Sequence, residues 1–248
     1  NISHIQKICL SGLFIAIIMI FNKVVAINYI PVVPFVRISF GGVALLIFSS
    51  FFLGPLYGMV IGVTSDLLGY FIFDPKTFGL FPQITLIYLL LGILPYFIFS
   101  FLRFIKSKKT IICLEYSVFA MIFALVSVFL FTNDTLSLYG KTHDLEMYQK
   151  ILIVSLMLLF FATQVVFNFV LDKKQKVKTL NVYHISFVTF ITELFVVVLF
   201  GSLMKATAFG FSMFYVILIT QGMLMFLNVP LNTYLVLLIM RVSTNFYK

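Results

Sequence analysis

Charged residues are rare in this sequence: they make up 10% of its 248 residues, while 62% are hydrophobic. Soluble domains carry about 25% charged residues, so a water-soluble fold of this size could not bury so much apolar surface. The apolar runs continue for about twenty residues without alternating, which excludes the strands of an outer-membrane barrel. The composition therefore predicts an all-α fold, a polytopic helical bundle in a membrane.

Cysteine is equally scarce, with only Cys9 and Cys113 in the chain. Both lie in apolar runs, so we predict buried, reduced thiols and neither a disulfide framework nor a metal site. The sequence also lacks a Ser/His/Asp or Cys/His arrangement that would indicate an active site. We therefore predict that the chain is not an enzyme and uses no cofactor.

A complete phosphate-binding loop is missing as well. Gly140, Lys141 and Thr142 match the end of that motif, but Thr135 stands where its first glycine is required. The segment lies in a predicted outer loop, with no predicted strand before it. We therefore expect no nucleotide site here; if the chain takes part in energised transport, the ATPase is another chain.

The formal net charge is +9, which in a soluble protein would suggest binding to nucleic acid. Here the basic residues flank the apolar runs, where they set the orientation of membrane spans. The positive charge therefore predicts that the chain lies in a lipid bilayer and does not bind nucleic acid.

Eight apolar runs divide the chain, separated by short connectors that contain Pro, Gly or charge. The predicted spans are 8–28, 35–53, 55–73, 84–104, 110–132, 149–171, 182–203 and 210–241. The first has no convincing small-residue cleavage site, so we interpret it as a retained span and not as a signal peptide.

The distribution of basic residues predicts the orientation of these spans. Eight spans place both termini on one side, and eleven of the 17 basic residues then fall on that side, many of them in 103–109 and 173–178. The positive-inside rule therefore predicts cytoplasmic termini and an outer loop at 133–149. A seven-span arrangement would put the two basic clusters on opposite sides of the membrane.

Three polar side chains interrupt the predicted spans. At about 1.5 Å per residue, Asp66 lies about 16 Å along the third span, and we expect Glu193 and Gln221 at similar depth in the seventh and eighth. A charge near the bilayer centre costs about 2.5–3.5 kcal/mol and so marks a candidate functional site. Arg37 opens the second span at the outer face, which predicts a pocket open to the outside. Hydrogen bonding between helices remains the alternative role for the three polar groups.

Other candidates lie near predicted helix ends. Gln83 and Thr85 open the fourth span and could cap it or face a ligand. Tyr70 and Phe81, near the outer mouth, could stack on a flat ring. Glu115 lies near a predicted cytoplasmic end, where its side chain can reach water.

Small residues recur at four-residue spacing on two spans, with Gly12 and Ala16 on the first and Gly54, Gly58 and Gly62 on the third. Such spacing lets two helix backbones approach closely in lipid. We predict that the three glycines share one packing face of the third helix.

Residues 36–95 carry a combination of motifs that is similar to a known family. The combination consists of Arg37 and Gly41, a Gly-Pro-x-x-Gly at 54–58, Asp66, and a Phe-Pro-x-x-Thr at 81–85. With the Pro-x-x-Thr at 230–233, it resembles the substrate-binding S components of energy-coupling-factor (ECF) vitamin transporters, folate type. The resemblance covers 8–104 and 182–241. It implies one transmembrane domain, residues 1–248, with a six-helix core and a helical pair inserted within 110–180.

The resemblance also implies a function. S components bind a vitamin from outside with high affinity, and a transmembrane coupling protein with two ATPases drives its release inward across the cell membrane of a prokaryote. Folate or another small vitamin is the implied ligand. The implied substrate-binding residues are Arg37, Asp66, Tyr70, Phe81, Gln83, Thr85, Glu193 and Gln221. Gly12 and Ala16 are implied to contact the coupling protein.

Individual roles follow from the chemistry of folate. Asp66 or Glu193 would accept the paired N–H donors of the pterin, and Arg37 would meet the glutamate carboxylate. Other interpretations stay open: an S component for a different vitamin or a modified-base precursor, a self-sufficient secondary transporter, a membrane enzyme, or a structural scaffold. A secondary transporter should show an inverted repeat, and we find no convincing one.

Overall fold

The computed structural model describes residues 3–24, 41–73, 81–102, 104–105, 107–133, 135–138, 141–174, 182–211 and 214–246. These residues are almost entirely helical, which confirms the all-α fold class. The described part before residue 133 contains α1 (His4–Met19, continued by a π-helical turn Ile20–Val24), α2 (Gly42–Leu53), α3 (Pro55–Phe73), α4 (Pro82–Leu102) and α5 (Lys108–Thr132).

A hairpin and four further helices follow. They are β1 (Thr135–Leu138), β2 (Lys141–Asp144), α6 (Met147–Lys174), α7 (Val182–Thr192, continued by a π-helical segment Glu193–Phe200), α8 (Gly201–Phe209) and α9 (Phe214–Phe246). The segments α7 and α8 run on through the π-helical residues as one apolar helix, Val182–Ala208. This helix is longer than the predicted span 182–203, so Lys205 lies within it and not in an outer loop.

Seven helices of the described residues are long and apolar enough to cross a membrane, which supports the polytopic interpretation. The second predicted span is represented only by α2, which has 12 residues. Its predicted beginning, with Arg37, lies outside the described residues, so the count of eight spans stays a prediction.

Large apolar side chains cover much of the outer surface of the bundle. Leu56 on α3, Val128 on α5 and Phe169 on α6 are each more than half exposed. A soluble protein would not present so many such side chains to water. In a membrane these side chains face lipid tails, so the free-energy cost of exposing apolar surface to water does not arise.

The helices α3 and α4 pack with their backbones almost in contact. A Cβ added to Gly58 would collide with the carbonyl oxygen of Gly92, and one added to Gly62 would collide with that of Tyr88. Only glycine permits this approach, which confirms the predicted packing face for these two positions.

Gly54 does not belong to this face, and that part of the prediction is wrong. It lies between α2 and α3 with φ 99°, a conformation that residues with a side chain rarely adopt. Pro55 follows as the first residue of α3, where a missing backbone donor costs nothing. The Gly-Pro pair therefore ends one helix and begins the next.

Aromatic rings fill the centre of the packing between α5, α7 and α9. The ring of Phe119 lies 4.7 Å from that of Phe190 and 5.2 Å from that of Phe226, centroid to centroid. All three side chains are fully buried. A second apolar cluster joins α1 to α4 with the π-helical segment, around Ile18, Leu46, Ile61 and Val196.

The predicted outer loop contains the short hairpin β1–β2, in which Ser137 pairs with Thr142. A strand therefore does precede the Gly-Lys-Thr sequence, contrary to expectation. The chain then continues into an antiparallel strand, whereas a phosphate-binding loop must lead into a helix. The nucleotide-site motif thus lacks its structural context too.

Both cysteines are exposed, so the prediction that they are buried is wrong. Cys9 lies on α1 and Cys113 on α5, each on a face turned away from the bundle. Their thiols are free in the structure. Hydropathy alone predicted burial because it does not distinguish a face turned to lipid from one turned to neighbouring helices.

Candidate functional site

The close approach of α3 and α4 brings Asp66 next to Thr85. The Thr85 hydroxyl Oγ1 donates a hydrogen bond of 2.7 Å to Asp66 Oδ2, and both side chains are half-buried. Thr85 lies in the first turn of α4, and Asp66 lies two turns before the end of α3. This pair therefore sits near the connection between the two helices.

Glu193 lies at the start of the π-helical segment and is fully buried. Its Oε1 accepts a hydrogen bond of 2.6 Å from Asn232 Nδ2 on α9. No described residue pairs with Glu193 Oε2 or with Asn232 Oδ1. Two buried acceptor oxygens on adjacent side chains thus retain their capacity to bind a donor.

Other buried polar groups lie on the same two helices as this pair. Thr192, Ser202 and Thr233 are fully buried, and each has a hydroxyl oxygen with no partner among the residues that the structure describes. Lys205 is partly buried, and its positive charge interacts electrostatically with Glu193. Native proteins rarely leave so many buried polar atoms unpaired unless a ligand or water satisfies them.

The π-helical geometry also indicates a functional site at Glu193. Segments with i→i+5 hydrogen bonds are uncommon in helices and are frequent at functional sites. Here the segment begins at Glu193, the residue with the unpaired carboxylate oxygen. The backbone and side-chain observations therefore coincide at one position.

The structure does not bring the three mid-span polar residues together. Glu193 pairs with Asn232, which lies eleven residues after Gln221 on α9, or about 16 Å along the helix axis. The prediction that Glu193 and Gln221 share one depth is therefore wrong. Gln221 is half-buried and makes no hydrogen bond within the described residues.

The remaining predicted site residues are placed as follows. Tyr70 is half-buried and meets the ring of Phe71 edge-on at 5.5 Å. Phe81 is half-buried immediately before α4, and Gln83 has a buried Oε1 with no described partner. Arg37 lies outside the described residues.

Asn232 and Lys205 are the functional candidates that the sequence interpretation missed. Asn232 lies inside the Pro-x-x-Thr motif at 230–233, and Asn228 precedes it by four residues. Amides at i and i+4 occupy one helix face, so this spacing was the available signal. Lys205 lies between the predicted spans 182–203 and 210–241, so it was placed in the loop that joins them.

Glu115 is buried and not solvated, so the expectation that it reaches water is wrong. Its side chain is 0% exposed and accepts hydrogen bonds from Ser186 and Gln164. These two partners lie on α6 and α7, so the side chain points between helices.

The proposed contact surface on α1 is open. Gly12 and Ala16 are both exposed, and a Cβ added to Gly12 would meet nothing within 4 Å. No described residue packs over the added Cβ of Gly12, and Ala16 is exposed beside it, so among the described residues this strip is open.

A family model described as the ECF transporter, substrate-specific component matches residues 6–171. The match begins in α1 and runs nearly to the end of α6, so it includes the two helices within 110–180. No curated protein and no solved structure matches the chain. With more than half of its residues matched, the chain belongs to the family of ECF transporter substrate-specific components: it is a substrate-binding membrane subunit that works with an ECF module on a small-molecule substrate, and it is not an enzyme.

Proposed function

We propose that this subunit binds folate or a related pterin from outside the cell with high affinity. A transmembrane coupling protein and two ATPases would then drive release of the ligand to the inside. The observation that carries the proposal is the buried pair Glu193 and Asn232, which presents two unpaired acceptor oxygens side by side.

The chemistry of a pterin matches this pair. Its aminopyrimidine edge presents adjacent N–H donors, and a buried carboxylate beside an amide oxygen accepts such donors with strong, oriented hydrogen bonds. Glu193 suits this role better than Asp66, because Thr85 already donates to Asp66 while Glu193 Oε2 has no described partner.

Other predicted site residues would complete the pocket. Tyr70 and Phe81 offer aromatic faces for stacking on the pterin ring. Arg37 would meet the glutamate carboxylate of folate at the outer mouth. The Asp66–Thr85 pair would define the wall formed by α3 and α4.

The exposed strip of Gly12 and Ala16 supports the second part of the proposal. Small residues on a membrane-facing helix permit close approach of another helix backbone. We assign this strip to contact with the coupling protein, because no helix that the structure describes covers it.

Folate binding to purified protein tests the ligand assignment. Glu193→Gln replaces acceptor oxygen by N–H donors that face the pterin donors, so affinity should fall at least about tenfold, equivalent to about 1.4 kcal/mol. Titration calorimetry in detergent measures the change. Glu146→Gln is the matched control, since Glu146 is exposed beside the hairpin, and it should bind as the wild type does.

Wild-type affinity in a folded Glu193→Gln protein would contradict the assigned site. Native mass spectrometry of the purified subunit tests the ligand itself. A co-purified pterin supports the proposal. A different vitamin or a base precursor would contradict folate as the substrate, while the role as a binding subunit would stand.

A further inference from the structure

A second cluster of buried polar side chains lies between α5, α6 and α7, apart from the Glu193 pair. It consists of Glu115 on α5, Gln164 and Asn168 on α6, and Ser186 on α7, and none is more than 1% exposed. Ser186 precedes Glu193 by seven residues, so the two clusters lie about 10 Å apart along the same helix.

With Glu115 ionised, the hydrogen bonds to Ser186 Oγ have a determined direction, while Asn168 Nδ2 also lies 3.3 Å from the hydroxyl of Tyr116. Ser186 Oγ lies 2.6 Å from Glu115 Oε1 and donates its single proton there, because a carboxylate oxygen can only accept. Ser186 must then accept from the amide nitrogens of Gln164 at 2.7 Å and Asn168 at 2.9 Å. The Gln164 nitrogen also faces Glu115 Oε1 at 3.3 Å, which fixes that amide independently.

This arrangement leaves three oxygens without a donor. Glu115 Oε2, Gln164 Oε1 and Asn168 Oδ1 are buried and have no partner among the described residues. Each belongs to a group bound directly to Ser186 Oγ, and covalent geometry therefore keeps all three within about 5.5 Å of that atom. The cluster is rich in acceptors and poor in donors.

When Glu115 is ionised, its charge has no counterion among the described residues. No Lys or Arg of the described residues forms an ion pair with it, and Lys108, near the start of the same helix, pairs with Asp172. An uncompensated buried charge is strongly destabilising, so a bound positive charge would offset a large cost. One carboxylate balances one unit of positive charge.

We propose that these three oxygens form a binding site for a single alkali-metal cation, with Na⁺ as the first candidate. Carboxylate and amide oxygens are hard ligands of the kind that hard cations prefer. A divalent ion would leave one excess positive charge in an apolar surrounding. The described residues contain no group of three His, Cys, Asp or Glu that would favour a transition metal.

Direct binding of radioactive ²²Na⁺ to the purified, ligand-free subunit tests the proposal. The wild type in detergent, with choline chloride as background salt, should retain about one ion per chain in a saturable manner. Unlabelled NaCl should displace it. Absence of saturable retention would overturn the proposal without any variant, whatever the result for folate.

Variants then locate the ion. Glu115→Gln should reduce Na⁺ retention at least about tenfold, because it removes the only charge among the ligands. Glu146→Gln, the exposed matched control, should retain Na⁺ as the wild type does. Retention that survives in a folded Glu115→Gln protein, or that disappears in Glu193→Gln instead, would place the ion elsewhere and overturn the assignment.

Unfolding temperature provides a second measurement. Since a ligand that binds only the folded state stabilises it, NaCl should raise the unfolding temperature above that in choline chloride at equal ionic strength. The difference should vanish in Glu115→Gln. An equal temperature in both salts for the wild type would contradict the proposal.

Discussion

The carboxylates of Asp66 and Glu193 differ in how far their neighbours satisfy their hydrogen-bonding capacity. Asp66 is half-buried and accepts a hydrogen bond from Thr85 on the neighbouring helix. Glu193 is fully buried, and one of its oxygens has no described partner. A satisfied carboxylate holds two helices together, whereas a partly satisfied one can still bind a ligand. A carboxylate can thus join two helices at one place and retain the capacity to accept a donor at another.

The Asp66–Thr85 bond predicts a measurable stability effect. Thr85→Val preserves the shape of the side chain and removes the donor, so the free energy of unfolding should fall by about 1–3 kcal/mol. Chemical unfolding in detergent measures it. Thr207→Val is the control, because exposed Thr207 bonds only to a carbonyl of its own helix, that of Met204. Equal stability of the two variants would show that the bond contributes nothing.

At the scale of elements, the pairing of α3 and α4 positions one wall of the candidate pocket. The Gly58–Gly92 and Gly62–Tyr88 contacts allow no side chain between the backbones. Because the helices are this close, the residues that follow on α3 reach side chains in the first turn of α4. The hydrogen bond of Asp66 is therefore a consequence of the glycine spacing.

Gly92→Ala tests this dependence. The added methyl group would collide with the backbone of Gly58, which has no side-chain freedom to yield, so the helices must separate. We expect a loss of about 1–3 kcal/mol in unfolding free energy, as for an overpacked core. Gly12→Ala is the matched control, since the same methyl group meets nothing there. A Gly92→Ala protein as stable as Gly12→Ala would refute the close packing.

At the scale of the whole molecule, the proposed binding site and the proposed coupling surface lie in different places. The candidate substrate site lies inside the bundle between α7 and α9, while the small-residue strip lies on the outside of α1. A change on the strip should therefore leave substrate binding intact. The two activities of the subunit can then be separated by mutation.

Ala16→Leu is predicted to separate them. The larger side chain has room in the isolated subunit, but it would prevent close approach of a partner helix. Substrate affinity should stay at the wild-type value, while assembly with the ECF module and uptake into proteoliposomes should fall sharply. Ala120→Leu, on the exposed face of α5, is the control and should keep both. Normal uptake by Ala16→Leu would contradict the assigned contact surface.

The sequence was sufficient for the class of fold, since hydropathy does not depend on tertiary structure. It correctly predicted that the third helix spans 55–73 and that Gly58 and Gly62 form a packing face. It did not predict the burial of Glu115 or the pairing of Glu193 with Asn232. Those depend on how each helix is rotated and how far it slides along its neighbours. The sequence of an apolar run does not determine the rotation or the axial position of its helix, because lipid and protein neighbours both favour the same side chains.

The π-helical segment that begins at Glu193 changes the angle between Glu193 and Lys205 around the helix axis. In an α-helix, residues twelve positions apart point about 120° away from each other, so Glu193 and Lys205 would lie on different faces. A segment with i→i+5 bonding holds more residues in each turn, and every residue therefore rotates the chain by less. The segment has eight such residues, beginning with Glu193 and ending where α8 begins, and they reduce that angular offset. One helix can thereby carry an acid and a base that interact electrostatically, which moderates the cost of placing both inside a membrane.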